Sequence, residues 1–187
     1  MSTVYERRIG QEWRLLQLLA ETNLGRLKLG DNSRLPDGQS FRCTLRQSPA
    51  LLESAGGGEA RLAVQDCHEV TFRFPRFFPA VPIEASLARP VFHPNVHPEN
   101  GFVCLWDSFS PGDTVIEAAG QLQRVMSWQL VNERPDHLMQ PRAMEWYRSP
   151  ERSLFLPLVF QALQKPEGFE LSRTYGQRPE GSRKRLS

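Results

Sequence analysis

With 187 residues, the chain can form one domain of about 150 residues with a real core plus a tail, and is too short for two full domains. Hydrophobic residues at 40%, charged residues at 24% and a net charge of +2 are ordinary for a soluble globular protein, and give no strong pull toward nucleic acid or membrane. The longest apolar run, "LFLPLVF" at 154–160, is far below the roughly 20 residues of a membrane-spanning helix, and Pro157 interrupts it.

The N-terminus, "MSTVYERRIGQEW", becomes charged where a signal peptide would be apolar. Over 5–21, Ile9, Trp13, Leu16 and Ala20 recur at helical spacing on one face, with Arg7 and Arg14 together on the opposite one. That basic face reads as a solvated surface or, more sharply, as a docking face. The turn-rich "LGDNSRLPDG" leads to "QSFRCTLRQ", a strand with Phe41, Cys43 and Leu45 on one side, so Cys43 reads as a core thiol. "ESAGGGEA" lacks the lysine and Ser/Thr of a phosphate-binding loop and reads as a hairpin or mobile loop. "HEVTFRFP" alternates Val70, Phe72 and Phe74 as the clearest strand; Cys67 before it reads as a buried or rim thiol.

Prolines at 75, 79, 82, 90 and 94 exclude a helix interior or central strand there and predict a rigid, mostly extended path. Over 114–131, Thr114 and Glu117 have capping-box spacing, and Val115, Ala118, Leu122 and Val125 form the buried face of an amphipathic helix. "NERPDHLMQP" breaks it, "RAMEWYR" predicts a short helix, and Ser149 before Pro150 reads as a cap followed by a first-turn proline. Beyond about residue 165 the chain turns polar, and "GQRPEGSRKRLS" reads as a disordered basic tail. The order of helix, antiparallel strands, proline-rich loop and helices predicts an α+β domain. Three widely spaced cysteines, Cys43, Cys67 and Cys104, argue against a disulfide framework and for a reducing cytosol, so a cytoplasmic location is expected.

The chemistry concentrates in "FHPNVHPENGFVCL" at 92–105. His93, His97 and Cys104 are of zinc-ligand type, but a structural zinc site needs four ligands and usually a close pair, which Cys43 and Cys67 do not supply. A cysteine hydrolase needs a thiolate, a histidine and an orienting Asn or Asp; His93, Asn95 and Cys104 are of those types, but such partners normally lie far apart in sequence. A buried cysteine in a proline-rich loop is the third reading, and a thiol that carries an acyl group the fourth.

The whole passage "FFPAVPIEASLARPVFHPNVHPENGFVCL" resembles the ubiquitin-conjugating enzymes, with a proline-rich approach, then His93, Pro94 and Asn95, then Gly101, Cys104 and Leu105 as Gly-x-x-Cys-Leu. "SPGDTV" at 110–115 is similar to the family's Ser-Pro-x-x-Thr-Ile, and Pro135, Asp136 and Leu138 match the segment before the next helix. The resemblance covers about residues 4–150. It implies an α+β fold with an N-terminal helix, an antiparallel four-stranded meander sheet, a proline-rich active-site loop and C-terminal helices, in a catalytic domain over 1–165 and a flexible basic tail over 166–187. It implies that Cys104 accepts ubiquitin or a ubiquitin-like protein as a thioester from an activating enzyme, and passes it to a lysine or a ligase. By the same resemblance Asn95 stabilises an oxyanion or bonds the loop, His93 braces the loop, and Asp136 positions the incoming lysine. Arg7, Arg8 and Arg14 would meet the activating enzyme, and Ser110 and Pro111 other partners. No cofactor and no metal is implied, ATP being used by the activating enzyme. A non-catalytic adaptor of the same fold is the competing function, with a cysteine hydrolase third.

Several features depart from the family. Asn95 and Cys104 are nine apart, one more than usual, which places an insertion around "HPEN"; the segment from Cys104 to Ser110 is about three residues shorter, with Phe109 in place of tryptophan. Ala80 stands where the family exposes a phenylalanine for RING-type ligases, which predicts an enzyme working without one or through a different contact. These departures and the compact length suit a bacterial ubiquitin-like conjugation pathway.

Overall fold

The computed structural model describes residues 3–54 and 61–169. The glycine-rich loop at 55–60 and the tail beyond 169 lie outside the described residues. Helix α1, Val4–Thr22, starts with a capping box in which Thr3 and Glu6 each accept from the other's backbone N–H. Ile9 and Leu16 are buried on it as the period predicts, joined by Leu19 and Glu12.

Five strands follow in antiparallel order: β1 (Leu27–Lys28), β2 (Ser40–Ser54), β3 (Arg61–Arg73), β4 (Glu84–Leu87) and β5 (Phe102–Val103). The expected four-stranded meander is thus corrected to five. β1 and β5 have two residues each, too few for an alternation to show in the sequence. β2 runs on past the predicted segment through a register shift between Arg46 and Ala50, with Gln47 at φ 53°. β4 lies in the gap between Pro82 and Pro90, so the proline-rich path holds a strand as well as turns. Cys67 is exposed on β3, not buried, because alternation on that strand reaches the core only from His68 onward.

Helix α2, Val115–Met126, opens with the predicted Thr114 and Glu117 capping box and buries Val115, Ala118, Leu122 and Val125. It ends at Met126, five residues before the predicted limit, with Ser127 as its C-cap. A single-turn 3₁₀ segment, Pro135–His137, precedes helix α3, Pro141–Arg148. Ser149 takes the N-cap position of a second 3₁₀ turn, Pro150–Leu154, with Pro150 first as predicted, but its hydroxyl donates back to the Trp146 carbonyl instead of capping. Phe41 and Phe72 of the sheet and Phe74 just past β3 pack with Leu16, Leu19, Leu122 and Val125 of the helices in the main core. A second cluster of Leu51, Phe92, Trp128, Ala143 and Leu158 seats the C-terminal segments on the loop before the cysteine. Among the described residues no helix is long and apolar enough to cross a membrane.

α1 and α2 are joined by a buried carboxylate. Glu12 accepts the N–H of Val115, an amide with no intrahelical partner at the start of α2, and pairs with Arg8 at 2.9 Å. Burial raises the Glu12 carboxyl above its ordinary range, while the Val115 N–H and Arg8 draw it back. A raised acid holds its proton longer folded than unfolded, so its contribution is full below the ordinary value and is lost as pH rises through the raised one. Glu12→Ala leaves Arg8 and the Val115 amide stranded and should cost about 3 kcal/mol in denaturant unfolding. Glu12→Gln keeps an acceptor, should cost less, and should flatten stability against pH in that window.

Candidate active site

Cys104 follows β5 directly and its backbone N–H donates to the Asn95 carbonyl at 2.9 Å, which locks the His93 to Asn95 loop beside it. The inserted residues form the turn that feeds β5. The His97 ring Nδ1 accepts from the Glu99 and Asn100 amides, and Gly101 N–H returns to the His97 carbonyl at 3.0 Å. Gly101 has φ +67°, and a Cβ there would lie 2.0 Å from the Leu87 carbonyl oxygen. Only glycine fits, which gives the motif glycine a physical reason.

His93 is sealed in the interior. Its Nδ1 accepts the Asn95 N–H at 3.1 Å, its ring packs 4.5 Å from Trp128, and its Nε2 faces the Leu130 carbonyl without a well-aligned bond. Burial pushes its pKa down to about 3, so it stays neutral and cannot serve as a base at neutral pH. Its geometry is that of a loop brace.

Asn95 is buried, and every polar atom of its side chain is engaged. Its Nδ2 donates to the carbonyls of Asn132 (2.7 Å) and His137 (3.0 Å), while its Oδ1 accepts the Asn132 N–H (2.8 Å). In this conformation it clasps the 132–137 segment and has no free N–H for an oxyanion. Gln140, which sequence reasoning missed, makes a second clasp by donating to the Val91 and Val96 carbonyls at 2.9 and 2.8 Å.

The clasps bring His137 to the cysteine. His137 Nδ1 lies 2.7 Å from Cys104 Sγ, and its Nε2 lies 3.6 Å from a carboxylate oxygen of Asp136, which is itself mostly exposed. Sequence matching took Pro135, Asp136 and Leu138 as the landmark and passed over the histidine between them. Asp107, also missed, adds a second negative charge near the thiol and is paired with Arg134 at 3.2 Å. Burial lifts the half-buried Cys104 thiol above its ordinary value, the Trp106 backbone N–H lowers it, and Asp136 and Asp107 raise it again. On balance this setting disfavours a free thiolate at Cys104. Cys43, by contrast, is fully enclosed and its thiol is pushed up to about 12.

His93, Asn95, Cys104 and Asp136 come together. The arginines divide: Arg7 and Arg14 are exposed on α1, whereas Arg8 turns inward to Glu12 and lies 5.3 Å over the Phe78 ring. Ser110 and Pro111 are exposed in a turn where the Asp113 side chain accepts the Ser110 N–H. The 75–81 turn still presents an aromatic: Ala80 is exposed, and Phe77, three residues earlier, is 68% exposed. Among the described residues no three His, Cys, Asp or Glu side chains gather as a metal-holding group.

No family model matches the sequence, and no curated protein matches it. Among solved structures, a Plasmodium yoelii protein described as a ubiquitin-conjugating enzyme is similar with a TM-score of 0.54 at 17% identity, over 83% of this chain and 90% of that one. A Trypanosoma cruzi protein described in the same way gives a TM-score of 0.53 at 17% identity, over 82% of this chain and 94% of the other. At this identity the likeness is one of fold, and the chain carries the fold of the ubiquitin-conjugating enzymes.

Proposed function

We propose that this protein is a ubiquitin-conjugating enzyme, which accepts ubiquitin or a ubiquitin-like protein as a thioester on Cys104 and passes it to a lysine amine or a downstream acceptor. The observation that carries the reading is the placement of Cys104 in this fold: half-buried at the end of β5, bonded through its backbone to the Asn95 loop and flanked by Asp136 and Asp107. A carrier thiol needs an opening for a flexible protein terminus, and the partial exposure of Cys104 supports that. An attacking lysine arrives as a cation, and the two carboxylates can attract and orient it. Arg7 and Arg14, exposed together on α1, form the proposed contact for an acidic face of the activating enzyme. Arg8 is already occupied by Glu12 and is assigned to the fold. The activating enzyme consumes ATP, and the conjugating chain itself uses no cofactor. A cytoplasmic setting fits the free thiols.

One observation favours a second reading, a cysteine hydrolase: Cys104, His137 and Asp136 lie in line as nucleophile, base and orienting acid. A hydrolase also needs oxyanion donors, and the Cys104 N–H and the Asn95 amide are both bonded to backbone carbonyls. Thioester aminolysis passes through the same oxyanion, so this does not separate the two readings; the fold, that of the ubiquitin-conjugating enzymes, favours the carrier. Incubation with an activating enzyme, its ubiquitin-like partner and ATP should yield an adduct on a non-reducing gel that thiols remove. No adduct with a proven cognate pair, or an adduct that persists in Cys104→Ala, rejects it in favour of an adaptor or a hydrolase.

A further inference from the structure

We propose that His137 is the catalytic proton carrier of Cys104, and that Asn95 acts as its positioning residue by holding the His137 backbone rather than by touching the acyl group. His137 has a ring nitrogen 2.7 Å from the reacting sulfur. Asn95 spends both amide hydrogens on the carbonyls of Asn132 and His137, the two ends of the segment that delivers the ring. The charged and titratable groups facing the pair are Asp136, 3.6 Å from the far ring nitrogen, and Asp107, which is paired with Arg134. Burial and then the two carboxylates disfavour a free thiolate, with the Trp106 backbone N–H acting against them, so a base 2.7 Å away that takes the proton as the sulfur attacks assists the step.

In loading, Cys104 Sγ forms a bond to the carbonyl carbon of the incoming thioester, and the donor's sulfur to carbon bond breaks. The Sγ proton passes to His137 Nδ1 and then to the departing thiolate. In discharge, an acceptor amine forms the nitrogen to carbon bond, the Cys104 Sγ to carbon bond breaks, and a proton of the amine returns through Nδ1 to the sulfur. Asp136 favours the imidazolium that exists in between. The discharge step rests on the carrier reading; the pairing of thiol and imidazole does not.

The test uses a Cys67→Ser background, since Cys67 is exposed and Cys43 is buried, so that iodoacetamide reports Cys104 alone. Alkylation is followed against pH in this background, in His137→Gln, in His137→Ala with and without added imidazole, and in Asn95→Ala, each checked for folding by circular dichroism. The background protein should show an acidic limb that His137→Gln removes, with about a tenfold slower rate at neutral pH. Imidazole should restore reactivity to His137→Ala, and Asn95→Ala should weaken the limb although His137 is still present. In charged protein, discharge to free lysine should slow by ~10²-fold in His137→Gln. Superimposable alkylation profiles for the background and His137→Gln, or no response of His137→Ala to imidazole, would overturn the inference. A normal histidine-dependent profile in a protein that never forms the adduct sinks the carrier reading alone; an adduct with a flat profile sinks this inference alone.

Discussion

Cys104→Ser should turn a thiol-sensitive adduct into one that survives reducing agent, because serine would hold the partner as an oxyester. Loading should slow by on the order of 10²-fold or more, since a hydroxyl is a weaker nucleophile than a thiol even beside a base. Discharge to an amine should fall below detection, because an oxyester is the poorer acyl donor, so the charged form accumulates. Cys104→Ala should form no adduct. The other thiols cannot substitute, because Cys43 is enclosed in the core with its proton held tightly and Cys67 lies on β3, away from the loops that frame the site. Reducing and non-reducing gels run side by side check each outcome. An adduct on Cys104→Ser that thiols still remove would mean that another sulfur carries the partner.

Gly101→Ala should be the most damaging glycine-to-alanine change among the described residues. The added carbon would sit 2.0 Å from the Leu87 oxygen and 3.0 Å from its carbon, both backbone atoms of β4 that cannot rotate away. The residue must also keep φ +67°, which penalises any side chain. Relief requires β4 and the turn before β5 to separate, which breaks the Leu87 N–H bond to the Gly101 carbonyl (2.9 Å) and shifts Cys104. The cost should be at least about 3 kcal/mol, a large share of a domain's total stability. Thermal unfolding should drop by about 10 °C, and thioester loading should fall with it at temperatures where the variant is still folded. Gly38→Ala is the control: it also has positive φ, +67°, but no atom within 4 Å of an added Cβ, and should cost only about 1 kcal/mol.

Much of the frame was legible because it rests on local rules. Helical periods and capping residues locate α1 and α2, and alternation locates the buried halves of β2 and β3. The ordered set His93, Pro94, Asn95, Gly101 and Leu105 singles out Cys104 as the candidate, and the fold sets that cysteine beside the Asn95 loop. What escaped is what local rules do not encode. β5 exists because the 97–101 turn folds back onto β4, and two residues carry no period. Arg8 looks like part of a basic face until the fold buries Glu12 one turn away and withdraws it. Phe77, three residues before Ala80, is exposed in the 75–81 turn, which its place in the sequence did not show. His137 lies 33 positions from Cys104, and its approach depends on two side-chain clasps, Asn95 and Gln140, onto backbone atoms of other segments. Of the two readings open for Asn95, oxyanion donor or loop bond, the structure shows the loop bonds, with both amide hydrogens committed to the Asn132 and His137 carbonyls.

The central claim is that one sulfur carries the acyl group. The most direct measurement is peptide mapping by mass spectrometry of the chain charged with a ubiquitin-like protein by its activating enzyme and ATP, trapped at low pH without thiols. The account predicts the partner's C-terminal glycine on the peptide containing Cys104, removable by thiols, with Cys43 and Cys67 unmodified. A partner found on Cys67 or on a lysine of this chain, with Cys104 free, would contradict it.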